Sequence, residues 1–127
     1  MRKKVCLTLA LISLGACGGS GGSTNSTGPM LGNTPAPANG ITVTNTAFAP
    51  ATKTVPVGTT VEWAWNSCDG DPTYGGMTCG THTVTFDDGT TSPVQSTGTF
   101  DRMFSVAGTY SYHCTVHTTM TGTITVQ

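Results

Sequence analysis

Residues 60–66 constrain the fold of this chain more than any other segment. Within them Val61, Trp63 and Trp65 alternate with polar or small residues, the period of two that is typical of a strand with one buried face. Other short runs, separated by Gly, Pro and Asp turn signals, follow to the C-terminus, and no long amphipathic helix is apparent. The pattern predicts an all-β, antiparallel sandwich or barrel with one core.

Six further runs carry the same signal. In each, apolar residues alternate with Thr, Ser or Asn, or aromatic residues share one face; the runs are residues 41–48, 54–57, 82–87, 100–104, 109–114 and 121–127. We therefore expect about seven to eight strands within residues 40–127, a length adequate for one small domain.

Residues 1–16 are predicted to be an export signal and not part of the fold. A basic start at residues 2–4 precedes an apolar run, residues 5–14, that is too short to span a bilayer comfortably. The segment Leu14-Gly15-Ala16-Cys17 resembles the lipobox of bacterial lipoproteins, which implies that Cys17 is lipidated and becomes the mature N-terminus. The alternative is an ordinary secretory peptide cleaved after Ala16.

The lipobox resemblance also implies a location. The lipid would anchor the protein to a membrane, in the periplasm or at the cell surface. Gly18, where sorted lipoproteins retained at the inner membrane carry Asp, favours the outer membrane in a bacterium with two membranes.

Residues 17–39 are predicted to be a flexible tether, rich in Gly, Ser and Pro and almost free of charge. Removal of residues 1–16 leaves two basic residues, Lys53 and Arg102, against all six acidic ones, so the net charge becomes about −4. Without a basic patch, no nucleic-acid partner is expected.

One short segment near the C-terminus combines three metal-binding side chains. Cys114, His117 and Met120 are spaced three residues apart, and His82 lies upstream in a predicted strand. A thiolate, two imidazoles and a thioether form the soft donor set that suits a copper ion cycling between Cu(I) and Cu(II). Zinc could use the two His and the Cys, but it would leave Met120 idle.

The same segments resemble a known family. Residues 108–126, with their Cys-x2-His-x2-Met spacing, look like the C-terminal part of plastocyanin/amicyanin-type cupredoxins. Residues 81–89 are similar to the family's first-histidine segment, and residues 48–50 with 55–63 to its N-terminal strands. The resemblance covers essentially all of residues 41–127 and implies a Greek-key β-sandwich or barrel.

The resemblance implies a site and a function. His82, Cys114 and His117 would be the strong equatorial ligands of one type 1 copper ion, and Met120 the long axial ligand. The chain would then be a monomeric one-electron carrier that docks transiently with redox proteins. The alternative is a copper-binding or copper-delivery protein. An enzyme is not expected, because the chain has only three His residues, too few for a second, catalytic copper site.

Two features depart from the family pattern. Thr118-Thr119 follows the second histidine where relatives often carry Pro, and residues 66–81 replace a short turn. In an exported protein, Cys68 and Cys79 within that insertion are first interpreted as a disulfide. The alternative is a second soft-metal site that uses Cys68, Met77 and Cys79.

His113 precedes the cysteine ligand and should point to the opposite side of its strand. It is interpreted either as an ordinary surface residue or as an electron exit next to the copper thiolate.

Overall fold

The computed structural model describes Thr34 and residues 37–127. The predicted signal peptide, Cys17 and most of the predicted tether lie outside the described residues. Thr34, inside the predicted tether, contacts the domain. Its N–H donates to the carbonyl of Trp65 at 2.7 Å, and its Oγ1 accepts from the N–H of Gly98 at 2.7 Å.

The described residues form ten strands and one 3₁₀ turn, with no α-helix among them. The strands are β1 (Ile41–Val43), β2 (Phe48–Ala49), β3 (Thr52–Val55), β4 (Thr59–Trp65), β5 (Cys68–Asp69), β6 (Thr78–Cys79), β7 (Thr85–Phe86), β8 (Thr99–Phe104), β9 (Gly108–His113) and β10 (Thr121–Val126), and the 3₁₀ turn is Pro72–Tyr74. Over this part of the chain, no helix is long and apolar enough to cross a membrane.

Eight strands build two four-stranded sheets, in the orders β2-β1-β4-β8 and β3-β10-β9-β7. The remaining pair, β5 and β6, is a separate hairpin inside the insertion. The prediction of an all-β, cupredoxin-like sandwich is confirmed. Its expected strand number of seven to eight holds for the two main sheets, and the insertion adds the other two strands.

Two strand pairings are parallel, β1 with β4 and β3 with β10, where the sequence predicted an antiparallel sandwich. The chain leaves the first sheet after β2, passes through β3 in the second sheet and returns as β4 in the direction of β1. Such a crossover joins parallel neighbours, whereas a tight hairpin joins antiparallel ones.

The core lies between the two main sheets and is rich in aromatic side chains. Val61, Trp63 and Trp65 are almost completely buried, as the alternation in β4 predicts. The Trp63 ring meets Phe86 edge-on at 5.6 Å and Tyr112 at 5.4 Å between ring centroids. These contacts join β4 of one sheet to β7 and β9 of the other.

The predicted strand at residues 82–87 is regular only over β7. Before it, the N–H of His82 donates to the carbonyl of Gln95 at 2.9 Å, and the N–H of Gln95 donates back at 3.1 Å. The N–H of Ser92 donates to the carbonyl of Val84 at 2.9 Å. The loop after β7 therefore folds back and forms hydrogen bonds with the backbone N–H and C=O groups of the segment before β7. In a longer strand, those groups would pair with a neighbouring strand of the sheet.

Candidate metal centre

The loop between β9 and β10 is closed by two backbone hydrogen bonds. The N–H of Cys114 donates to the carbonyl of Met120 at 2.9 Å, and the N–H of Met120 donates to the carbonyl of His117, also at 2.9 Å. Because β9 ends at His113 and β10 begins at Thr121, both ends of the loop are anchored in the sheet. Three of the four predicted ligands therefore sit on one short, braced loop.

His82 joins this loop from the neighbouring segment. Its Nδ1 lies 3.1 Å from Nδ1 of His117 and 3.8 Å from Sγ of Cys114. The donor atoms of the three residues all lie within 4.8 Å of one another. His82 and Cys114 are buried and His117 is exposed. Met120 is 1 % exposed and belongs to the core cluster that includes Cys114.

The spacing of these atoms fits a bound transition-metal ion. Nitrogen and sulfur donors at roughly 2.0–2.3 Å from one ion stand roughly 3–4 Å apart, as the His82 nitrogen does from its two neighbours. Burial, with a smaller contribution from His117, lowers the pKa of His82. The neutral imidazole, which is the form that binds metals, is therefore favoured at this position.

Thr83 is a site residue that the sequence interpretation missed. Its N–H donates to Sγ of Cys114 at 3.4 Å, and its Oγ1 accepts from the N–H of Thr115 at 2.9 Å. Its side chain is 3 % exposed. An N–H aimed at a ligand sulfur withdraws charge from it and tunes the potential of a copper–thiolate site. In the sequence, only its position directly after His82 could have indicated that Thr83 contacts the site.

The insertion is closed by a disulfide between Cys68 and Cys79, which pairs β5 with β6. The predicted disulfide is confirmed, and a soft-metal site that uses Cys68, Met77 and Cys79 is excluded because the two sulfurs bond to each other. Ser67 ties the base of the hairpin: its Oγ donates to the carbonyl of Gly80 at 2.8 Å, and its carbonyl accepts from the N–H of Gly80 at 2.9 Å. Among the described residues, Cys114 is the cysteine left with a free thiol.

His113 lies on the opposite side of β9 from its two neighbours. Tyr112 and Cys114 are buried, whereas 41 % of the His113 side chain is exposed. Its Nδ1 stands 3.8 Å from Oδ1 of Asp87. The predicted orientation is confirmed, and the imidazole offers a solvent-facing group next to the buried thiol. Cys17, the predicted lipidation site, lies outside the described residues.

Most of the described chain matches the model of a known protein family. The model of the copper-binding proteins of the plastocyanin/azurin family matches residues 36–127. No curated protein sequence matches the chain significantly.

Solved structures with a similar fold include several copper proteins. A purple cupredoxin from Nitrosopumilus maritimus is 25% identical, with a TM-score of 0.57 over 69% of this chain and 98% of its own. An oxidized mutant of amicyanin is 25% identical, with a TM-score of 0.58 over 71% of this chain and 82% of its own. The copper-containing nitrite reductase of Thermus scotoductus is 26% identical, with a TM-score of 0.51 over 68% of this chain but only 22% of the reductase.

Proposed function

Because this chain belongs to the plastocyanin/azurin family of copper-binding proteins, we propose that it carries single electrons outside the cytoplasm through one type 1 copper site. The observation that carries the proposal is the convergence of His82, Cys114 and His117 on one point at the end of a rigid sandwich. Copper, when bound, supplies a one-electron couple between Cu(II) and Cu(I).

The side chains of such a site have different roles. His82 and Cys114 are buried and hold their donor atoms away from water, while His117 is the exposed member of the cluster. Met120, which is buried in the same core cluster as Cys114, would supply a fourth, weaker thioether donor to the ion. The exposed His117 gives a partner protein the shortest approach to the site, and half-exposed His113 offers a second approach.

We propose that the protein is not an enzyme and that it is held at a membrane. The similar nitrite reductase is much longer, and a second copper site would need histidines beyond the three in this chain. The lipobox-like segment and the tether support an exported, lipid-anchored protein whose domain can reach redox partners. The domain is proposed to act as a monomer.

Spectroscopy of the mature protein tests the site. After loading with Cu(II), the wild type should show an intense visible thiolate-to-copper band and the matching EPR signal. Both should be lost in Cys114→Ser and retained in Ser111→Ala, a polar control on β9. A colourless wild-type protein would contradict the type 1 assignment.

Kinetics then separate the carrier from a copper-delivery protein. A carrier should exchange electrons rapidly between its Cu(I) and Cu(II) forms and keep its copper in the presence of a chelator. Slow exchange together with ready loss of copper would favour delivery.

His113→Ala should slow electron transfer to at least one partner protein if that imidazole is an electron exit. Unchanged transfer rates with every partner would rule out this role for His113.

A further inference from the structure

The outer nitrogen of His82 is a buried polar atom with no hydrogen-bond partner among the described residues. Since Nδ1 faces Cys114 and His117, Nε2 is the nitrogen that carries the hydrogen in the neutral ring. A ligating histidine normally donates this hydrogen to a second residue that sets its tautomer and orientation. A buried donor without a partner destabilises the folded state, because it has lost its hydrogen bonds to water and gained none in return.

Gly80 lies directly beside this nitrogen. A Cβ at residue 80 would stand 3.0 Å from Nε2 of His82 and 2.6 Å from Oδ1 of Asn45. The two atoms are therefore no farther apart than the sum of those distances, 5.6 Å. Gly80 has no positive φ, so close approach and not backbone conformation accounts for glycine at this position.

The amide of Asn45 is oriented by the insertion. Its Nδ2 donates to Oδ2 of Asp69, and a carboxylate can only accept, so the NH2 group is held on that side. The carbonyl Oδ1 is consequently the atom left facing Gly80 and His82. Asp69 belongs to β5, next to the disulfide, so the position of its carboxylate depends on the hairpin.

We propose that Asn45 is the positioning residue of His82. Its Oδ1 accepts the hydrogen of Nε2 through one bridging water, and Asp69 on the disulfide hairpin holds the amide in that orientation. The inference rests on the copper site of the proposed function. It gives residues 66–81 a role: they complete the outer hydrogen-bond shell of the buried imidazole.

The test uses the mature protein loaded with Cu(I), in which the imidazole N–H of His82 is observable by ¹⁵N–¹H NMR. In Asn45→Ala this resonance should move upfield, and the affinity for Cu(II) should fall by about 10- to 100-fold. Thr46→Ala, an exposed substitution in the same turn, should change neither quantity. Gly80→Ala should reproduce the Asn45→Ala effects, because the new Cβ would occupy the space that the two groups share.

A second pair of variants tests the hairpin contact and covers the case in which Asn45→Ala does not fold. Asp69→Ala should move the same resonance in the same direction, and Asp69→Asn should restore it because the amide carbonyl still accepts from Asn45. An unmoved resonance in Asn45→Ala and Asp69→Ala would overturn the proposal, even if both variants were less stable. Slow electron exchange with the resonance response intact would instead contradict the carrier function alone.

Discussion

Met120 is the proposed ligand whose contribution depends most on loop geometry. Its backbone closes the ligand loop by hydrogen bonds to Cys114 and His117, and the residues between His117 and Met120 are Thr118-Thr119, with no proline to stiffen the turn. A weak axial thioether is one of the features that set the potential of a type 1 site. The stability of Cu(II) relative to Cu(I) should therefore respond to this single side chain.

We expect Met120→Leu to raise the reduction potential, because losing the thioether donor destabilises Cu(II) more than Cu(I). The apolar volume is nearly conserved, so the loss of stability should stay below about 1.5 kcal/mol. Protein-film voltammetry and thermal unfolding measure the two effects. Met103→Leu, at a methionine that is 64 % exposed on β8, is the matched control. Equal potentials in all three proteins would remove Met120 from the ligand set.

Arg102 and Asp88 form a second residue-scale feature, away from the ligands. The guanidinium lies 4.0 Å from the ring centroid of Phe86, 5.0 Å from that of Phe104 and 5.2 Å from that of Tyr110, and it donates to the carboxylate of Asp88. The hydrogen bond from Arg102, with that from Thr90, lowers the pKa of Asp88 to about 2.

This pair should make stability depend on pH below 4. The pKa of Asp88 is lower in the folded state, so its stabilising contribution is complete above its ordinary value of 3.8 and is lost as the pH falls towards 2. Because the pair is partly exposed, we expect less than about 1 kcal/mol. Urea unfolding at pH 2, 4 and 6 should show a smaller dependence in Asp88→Asn than in Asp71→Asn, an exposed control. Identical pH profiles in the two variants would contradict the assignment.

The candidate ligands could be named from the sequence at the residue scale, but their surroundings could not. Cys114, His117 and Met120 fall within seven residues, so their spacing alone predicts a shared metal site. The hydrogen bond from Thr83 to Cys114 spans 31 residues, and Asn45 meets Asp69 across 24. Contacts at that separation depend on how the segments pack, which a single sequence does not display.

At the scale of elements, alternation predicted strands well where one face meets the core. It placed β4, β8, β9 and β10 within one residue of their observed bounds. It failed in residues 41–48, where a turn separates β1 from β2: the N–H of Thr44 donates to the carbonyl of Ala47 at 3.0 Å. The insertion was expected to be a loop held by its disulfide, and it also forms the short hairpin of β5 and β6.

We expect the double variant Cys68→Ser/Cys79→Ser to lose stability. The two residues are 11 apart in sequence, and in the chain-entropy model closing such a loop contributes about 3 kcal/mol. Equilibrium unfolding in urea measures the change. Ser67→Ala, which removes the hydroxyl contact with Gly80 but keeps the disulfide, should cost less. A double variant as stable as wild type would show that the hairpin holds its shape without the covalent link.

At the scale of the whole molecule, the domain and its N-terminal extension are joined more closely than the sequence predicted. Thr34 already makes hydrogen bonds to Trp65 and Gly98, so contact with the sandwich begins within the segment predicted to be a tether. The polar composition predicted a tether but did not indicate where it first contacts the sandwich. The contact is made by one threonine to backbone groups, and a single threonine does not change the composition of the segment.

Membrane attachment can be tested with two cysteines of the same N-terminal region. In a bacterial host that processes lipoproteins, the wild type should incorporate labelled palmitate and sediment with membranes, because more than one acyl chain gives stable anchoring. Cys17→Ser should lose the label and the membrane association. Cys6→Ser should keep both, since residue 6 lies in the segment predicted to be removed. If Cys17→Ser remained labelled, the lipid would be attached to a residue other than Cys17. If the wild type were exported without label and began at Cys17, the chain would be an ordinary secreted protein, and its copper domain would reach its partners by diffusion instead of from a tether.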